Sequence, residues 1–173
     1  MKRVIQPNQG PQLKRRMAIK TLFVVYIVGL FYFLIFRHLG VSHDETWIEY
    51  IRQNTNLLPF FSVRILLSTP AGFPVIMWRL LRIFAGNSLL FISFGILASE
   101  ALHILSVKRL AIIASIVSLL IELLQILSCT GTFDIEVVGF RVFGSLIGYY
   151  LLNRIRSVNG NGFIYRTKEG ERE

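Results

Sequence analysis

Six polar side chains stand inside or at the edge of long apolar runs, where an unpaired charge is costly. The six are Asn87, Glu122, Gln125, Asp134, Glu136 and Arg141. A charged side chain at the centre of a bilayer costs roughly 2.5–3.5 kcal/mol on insertion scales, so such residues usually face one another or a water-filled cavity. We interpret these six residues as one polar cluster and as the candidate binding site.

The spacing of polar residues within each run supports this interpretation. In the third run the intervals are three, four and three, at Ser115, Ser118, Glu122 and Gln125. In the fourth run they are seven, four and three, at Asp134, Arg141, Ser145 and Gly148. In the second run they are seven and three, at Ser93, Glu100 and His103. At about 100° per residue each set lies on one face of a helix, and we expect the three faces to point at each other. The alternative for Glu100 and His103, which lie near the inner side, is that they reach the inner membrane interface.

Arg141 needs an acidic partner, because a guanidinium does not readily lose its proton. The short turn Cys129–Thr132 makes the third and fourth runs antiparallel neighbours. Glu122 and Arg141 then lie at a similar depth, roughly 10–12 Å from the turn at 1.5 Å per residue. We predict Glu122 as the main partner of Arg141 and Asp134 as the second. A purely structural ion pair is the alternative to a binding site.

Four apolar runs must position these residues, and they cover residues 18–36, 87–106, 110–128 and 133–152. Each has about 19–20 residues, enough to cross a hydrocarbon core of about 30 Å. The mean hydropathy of +0.56 is high for a soluble domain. We predict an all-α fold, a polytopic membrane helix bundle of four transmembrane helices. The first run ends in FYFLIFRH, without a small-residue cleavage site, which favours a retained span over a signal peptide.

The rest of the chain forms two tails and one long connection. We divide it into a basic tail over residues 1–17, a membrane domain over residues 18–156 and a polar tail over residues 157–173. In the long connection, Arg79 and Arg82 are three residues apart and share one helical face. Residues 75–84 are therefore predicted to form an extracellular amphipathic helix on the membrane surface.

The basic residues also predict the orientation. With the N-terminus inside, thirteen Lys and Arg lie on the inner side and five on the outer side. The Lys108-Arg109 turn is basic, whereas the Cys129–Thr132 turn has no Lys or Arg. Cytoplasmic loops carry the excess of Lys and Arg, so both termini are predicted to be cytoplasmic.

Composition and motifs exclude several other classes of protein. The net charge of +9 comes from residues that flank apolar runs, which argues against nucleic acid as a partner. The single cysteine, Cys129, excludes an internal disulfide, and the three His residues lack metal-ligand spacing. We find no HExxH, Ser/His/Asp, P-loop or GxGxxG motif, so we assign no catalytic residue, metal or cofactor.

Gly144 and Gly148 form a GxxxG motif in the fourth run. Such a motif usually marks a close contact between helices, because two glycines let the backbones approach. The sequence leaves open whether this contact lies within the bundle or makes a homo-oligomer.

Three segments resemble the VanZ-like family of bacterial integral membrane proteins. They are Asn56-Leu-Leu-Pro-Phe60, Asn87-Ser-Leu-Leu-Phe-Ile-Ser-Phe-Gly95, and the series Glu122, Gln125, Asp134, Glu136, Gly144, Gly148. The order and spacing match across about residues 20–152. The chain departs from the family pattern at four positions: Ser93 for Pro, Gly131 for Arg, Val137 for an acid and Arg141 for Asn.

The resemblance implies a multi-pass protein of the bacterial cell membrane that lowers susceptibility to a lipid-tailed glycopeptide of the teicoplanin class. The implied partners are membrane lipid and either the glycopeptide antibiotic or a cell-wall precursor. Two other functions stay open. One is a membrane enzyme that acts on a cell-envelope lipid or precursor, with Glu122 or Asp134 as acid or base. The other is a small transporter subunit.

Overall fold

The computed structural model describes residues 10–36, 46–59, 64, 68, 70 and 72–158. Its helices are α1 (Gly10–Phe36), α2 (Trp47–Gln53), α3 (Phe73–Ala101), α4 (Val107–Leu127) and α5 (Ile135–Val158). Two short strands, β1 (Thr55–Asn56) and β2 (Phe133–Asp134), pair in parallel. In the described part of the chain, α1, α3, α4 and α5 are long and apolar enough to cross a membrane. The predicted all-α bundle of four membrane helices is confirmed.

The region before the second span differs from the prediction. The amphipathic stretch over residues 75–84 is not a separate surface helix but the first three turns of α3. Pro74 lies in the first turn of α3, where backbone N–H groups have no partner within the helix. The missing N–H of proline therefore costs no hydrogen bond, and the helix can start at Phe73. At the other end α3 stops at Ala101, before the predicted end at residue 106, because His103 has a φ of 52°, which is not helical.

The helices at the two ends of the bundle continue past the apolar runs. α1 begins at Gly10, so the second half of the predicted tail over residues 1–17 is helical, and residues 1–9 lie outside the described residues. α5 extends to Val158, and the rest of the predicted tail over residues 157–173 is likewise outside them. The apolar periodicity marks the hydrophobic part of each helix, whereas the helical backbone continues beyond it.

The centre of the bundle is the contact between α3 and α5, where glycines allow the two backbones to meet. A Cβ on Gly144 would lie 2.2 Å from the carbonyl oxygen of Ser88, and one on Gly148 would lie 2.1 Å from that of Ile92. On α3, a Cβ on Gly95 would lie 2.0 Å from the carbonyl oxygen of Ser145. The GxxxG motif is therefore used within the chain. A homo-oligomer through the same glycines would have to displace α3 and stays a prediction.

α2 is tied to the connection between α4 and α5 by two aromatic side chains. The indole N–H of Trp47 donates to the carbonyl oxygen of Leu127 at 3.3 Å, and the hydroxyl of Tyr50 donates to that of Gly131 at 2.9 Å. Burial, with a smaller contribution from the Cys129 thiol, raises the pKa of Tyr50, so its hydroxyl keeps the proton that it donates. α2 therefore brings β1 alongside β2.

One acidic residue, Glu100, shows how the helix ends are arranged. Its carboxylate, near the end of α3, pairs with Arg156 near the end of α5 and lies 3.6 Å from Arg15 near the start of α1. The start of α1 and the end of α5 therefore lie at the same end of the bundle. Which side of the membrane this end faces stays a prediction.

Thiol labelling can determine which side that is. In a Cys129→Ser background, single cysteines would be placed at Asn8, Gln53 and Asn161. We expect an impermeant thiol reagent to label only position 53 in intact cells, because the distribution of basic residues predicts that both tails are cytoplasmic. Permeabilised cells, in which all three positions should react, provide the control. Labelling of position 8 or 161 in intact cells would overturn the orientation.

Candidate functional site

The polar cluster lies at the end of the bundle opposite Glu100, where α1 and α4 end and α5 begins. α5 carries Arg141 almost two turns from its start, and α4 carries Glu122 more than one turn before its end. Because the two helices are antiparallel neighbours, the two side chains are level. Their charged groups lie 2.8 Å apart, from NH1 of Arg141 to Oε1 of Glu122, and the side chains are only 3% and 2% exposed. Glu122 is thus the partner of Arg141 that the spacing predicts.

Arg141 also connects two further elements. Its Nε donates to Oδ1 of Asn87 on α3 at 3.3 Å, and its NH1 donates to the hydroxyl of Ser118 on α4 at 3.4 Å. The guanidinium carbon lies 5.6 Å from the centre of the Phe91 ring, within the range of a cation–π contact. One buried guanidinium therefore joins α3, α4 and α5.

The second oxygen of Glu122 holds the start of α5. It accepts the backbone N–H of Asp134 at 2.8 Å. Oδ1 of Asp134 in turn accepts the backbone N–H of Glu136 at 2.9 Å, and also the side-chain amide of Asn56 at 3.2 Å. A carboxylate that accepts N–H bonds at a helix start satisfies donors that the helix itself leaves unpaired. Asp134 therefore organises the helix terminus beside the ion pair.

Gln125 ties the cluster to α1. Its side-chain amide donates to the carbonyl oxygen of Leu34, in the last turn of α1, at 2.9 Å. Of the six predicted residues, the structure brings Asn87, Glu122, Asp134 and Arg141 into one bonded network. Gln125 borders it and Glu136 joins it through its backbone amide. Their role in binding stays a prediction.

The expected third polar face, on the second span, does not join the cluster. Ser93 is exposed, and Glu100 pairs with Arg156 at the opposite end of the bundle. His103 lies beyond the end of α3, so helical periodicity does not apply to it. Those three residues belong to different environments.

Ser118 and Asn56 bond to side chains of the cluster but were not among the predicted site residues. Ser118 lies on the polar face of α4 already recognised from the spacing. Asn56 precedes α3 by a long connection, and its pairing with Asp134 depends on the bridge between β1 and β2. The Asn-Leu-Leu-Pro-Phe segment drew attention to Asn56 in the sequence, but no local pattern shows which residue this asparagine contacts.

A cavity of about 590 Å³ opens beside the cluster, and we call it the Arg82 cavity. It is lined by Phe33, Leu34, Arg82, Ile83, Gly86, Asn87, Leu89, Leu90, Glu122, Gln125, Gly131, Thr132, Val137 and Arg141. Small-molecule sites commonly have volumes of about 300–1,000 Å³, with mostly apolar walls and a few polar groups. This cavity has that composition.

The bonding of the cluster limits the chemistry that it can perform. Each oxygen of Glu122 already accepts one bond, one from Arg141 and the other from the backbone N–H of Asp134. A general acid or base must exchange a proton with a substrate within hydrogen-bond reach. The side chain of Glu122 is only 2% exposed and is paired with Arg141, so the arrangement suits the support of a binding cavity better than proton transfer.

Comparison with known proteins agrees with the segments noted in the sequence. The model of the VanZ/LLP1 family matches residues 23–156, which include the second half of α1, all of α3 and α4, nearly all of α5 and the whole polar cluster. No curated protein and no solved structure matches the chain. Together with the four apolar helices, the match makes this a multi-pass membrane protein.

Proposed function

The chain belongs to the VanZ/LLP1 family, and from that membership we propose that it lowers the susceptibility of a bacterial cell to a lipid-tailed glycopeptide of the teicoplanin class. It acts in the cell membrane, with the Arg82 cavity on the outer side and both termini in the cytoplasm. The observation that carries the proposal is this cavity, which combines apolar walls with polar groups near one end of a membrane bundle.

The cavity suits an amphiphile of the cell envelope better than the amines of the drug. An amine would need an acid whose charge is not already compensated, but Glu122, the single acid among the described lining residues, forms a buried ion pair with Arg141. The protein therefore acts through an envelope lipid or precursor on which the action of the drug depends. The polar cluster holds the helices that form the cavity.

The enzyme alternative has less support, since Glu122 is almost fully buried and its carboxylate is paired with Arg141. Transport has no specific observation in its favour. We therefore retain binding as the function.

Deletion of the gene is expected to lower the concentration of teicoplanin that stops growth, and expression of the wild-type chain is expected to restore it. A glycopeptide without an acyl chain is the control drug, and its inhibitory concentration should change less. An unchanged inhibitory concentration of teicoplanin in the deletion strain would contradict the proposal.

A further inference from the structure

Two arginines on different helices border the Arg82 cavity, and each can still bind a ligand. Arg82 lies 5.9 Å from the centre of the Trp78 ring and forms no ion pair with any residue in the described part of the chain. Arg141 bonds through Nε and NH1, whereas its NH2 has no hydrogen-bond partner among the described residues. Because Arg141 lines the cavity, this NH2 group would be its donor to an anion there.

The charges of the lining favour an anion over a cation. Among the described lining residues, Glu122 is the single acid, and Arg141 neutralises it. The charge of Arg82 remains. A ligand with a negative headgroup would therefore complement Arg82, which carries the unpaired charge of the described lining.

The position of Arg82 places that headgroup near the bilayer surface. Arg82 precedes Asn87 by about 7.5 Å along α3, and α5 begins about 9 Å before Arg141, at 1.5 Å per residue. Since Asn87 and Arg141 are in contact, Arg82 is about level with the start of α5. A long basic side chain at such a level reaches the polar edge of the membrane.

The apolar side of the cavity offers a surface for a hydrocarbon chain. Phe33 on α1 and Leu89 and Leu90 on α3 line it. Leu89 is 62% exposed, so this side is open at the surface of the bundle. An acyl chain could therefore lie here without first entering the protein core.

We infer that the Arg82 cavity binds a membrane lipid with an anionic phosphate headgroup. The phosphate contacts Arg82 and the NH2 group of Arg141, and one acyl chain lies along Phe33, Leu89 and Leu90. Arginine suits this ligand because its planar guanidinium donates two parallel bonds to phosphate oxygens. The inference deepens the proposed function by naming the class of ligand for the same cavity.

Native mass spectrometry of the purified full-length protein in a maltoside detergent tests the ligand class. We expect phosphatidic acid to bind, and diacylglycerol with the same acyl chains to bind much more weakly because it lacks the phosphate. Inorganic phosphate should not displace the bound lipid. Equal binding of diacylglycerol, or displacement by inorganic phosphate at equal concentration, would overturn the inference.

Two variants locate the site, each with a matched control. Arg82→Gln should weaken phosphatidic acid binding about tenfold, the loss expected for a hydrogen bond to a charged group. Arg79→Gln changes an exposed arginine on the same helix that does not line the cavity, so it should leave lipid binding unchanged.

Gly86→Leu should also weaken binding, because a Cβ there meets no atom within 4 Å and the larger side chain can occupy the cavity. Its control is Gly139→Leu, where a Cβ is equally free but lies away from the lining.

The same variants separate this inference from the proposed function. Lipid binding that is lost in Arg82→Gln, while teicoplanin susceptibility in that strain stays at the wild-type value, would support the site and contradict its link to the drug. Susceptibility that depends on the gene without any selective binding of phosphatidic acid would preserve the proposed function and overturn the lipid site. Equal binding by Arg82→Gln and wild type would also overturn it.

Discussion

Replacing Arg141 with methionine is expected to lower the free energy of unfolding by about 3–5 kcal/mol, because the change leaves a buried carboxylate without its cationic partner. Water cannot readily take over the contact, since the side chain of Glu122 is only 2% exposed. Asn87 and Ser118 also lose the donor that they share. The folded yield after detergent extraction and the midpoint of thermal unfolding measure the effect.

A double variant tests whether the loss comes from the ion pair. Glu122→Gln combined with Arg141→Met removes both charges and keeps an oxygen for the backbone N–H of Asp134. We expect this double variant to be more stable than Arg141→Met alone. If the two single effects simply add, the residues are not coupled and the ion pair is not the cause.

A second arginine provides the control for Arg141. Arg156 pairs with Glu100 at the opposite end of the bundle, and its side chain is 23% exposed. Partly exposed ion pairs contribute at most about 1 kcal/mol, so Arg156→Met should change the unfolding midpoint much less. Equal losses for Arg141→Met and Arg156→Met would contradict the special role of the buried pair.

Replacing Gly148 with leucine is expected to remove most of the folded protein. A Cβ at this position would lie 2.1 Å from the carbonyl oxygen of Ile92 and 3.1 Å from the backbone nitrogen of Ile96. Both are backbone atoms, so the clash cannot be relieved without moving α3 away from α5. Overpacking a core usually costs about 1–3 kcal/mol, and we expect a larger loss here because the helices must separate.

Gly139→Leu is the matched control for this prediction, since it places the same side chain on the same helix at an exposed position. A Cβ on Gly139 meets no atom within 4 Å, and surface changes of this kind usually shift stability by about 0.5 kcal/mol or less. Size-exclusion profiles of the two variants in one detergent give the comparison. A monodisperse profile of normal yield for Gly148→Leu would show that the close contact between α3 and α5 is not needed.

The membrane helices and the central ion pair could be predicted from the sequence because both depend on local spacing. An apolar run of about 20 residues is sufficient to indicate a span. That Glu122 and Arg141 lie at the same depth follows from counting residues on either side of a short turn, since the helical rise is constant at about 1.5 Å per residue. The use of Gly144 and Gly148 at a close contact follows in the same way from the GxxxG spacing.

Local spacing was misleading where a helix did not begin or end at the edge of an apolar run. The amphipathic residues 75–84 continue into the second span because nothing there interrupts the backbone hydrogen bonds of α3. Glu100 was assigned to the polar faces by its spacing, but its partners lie on α1 and α5 at the far end of the bundle. A periodic pattern describes one helix and does not show which helix lies opposite.

The sequence by itself therefore determined the number of membrane helices, the polar face of α4 and the pairing of Glu122 with Arg141. Only the tertiary structure decided that Asn56 bonds to Asp134, that Gln125 bonds to the end of α1 and that Arg82 faces the same cavity as Arg141. Each of these contacts joins elements distant in the chain, and their geometry depends on how all the helices pack. The net charge of a binding cavity is such a property, because it depends on which of the lining acids and bases are paired with one another.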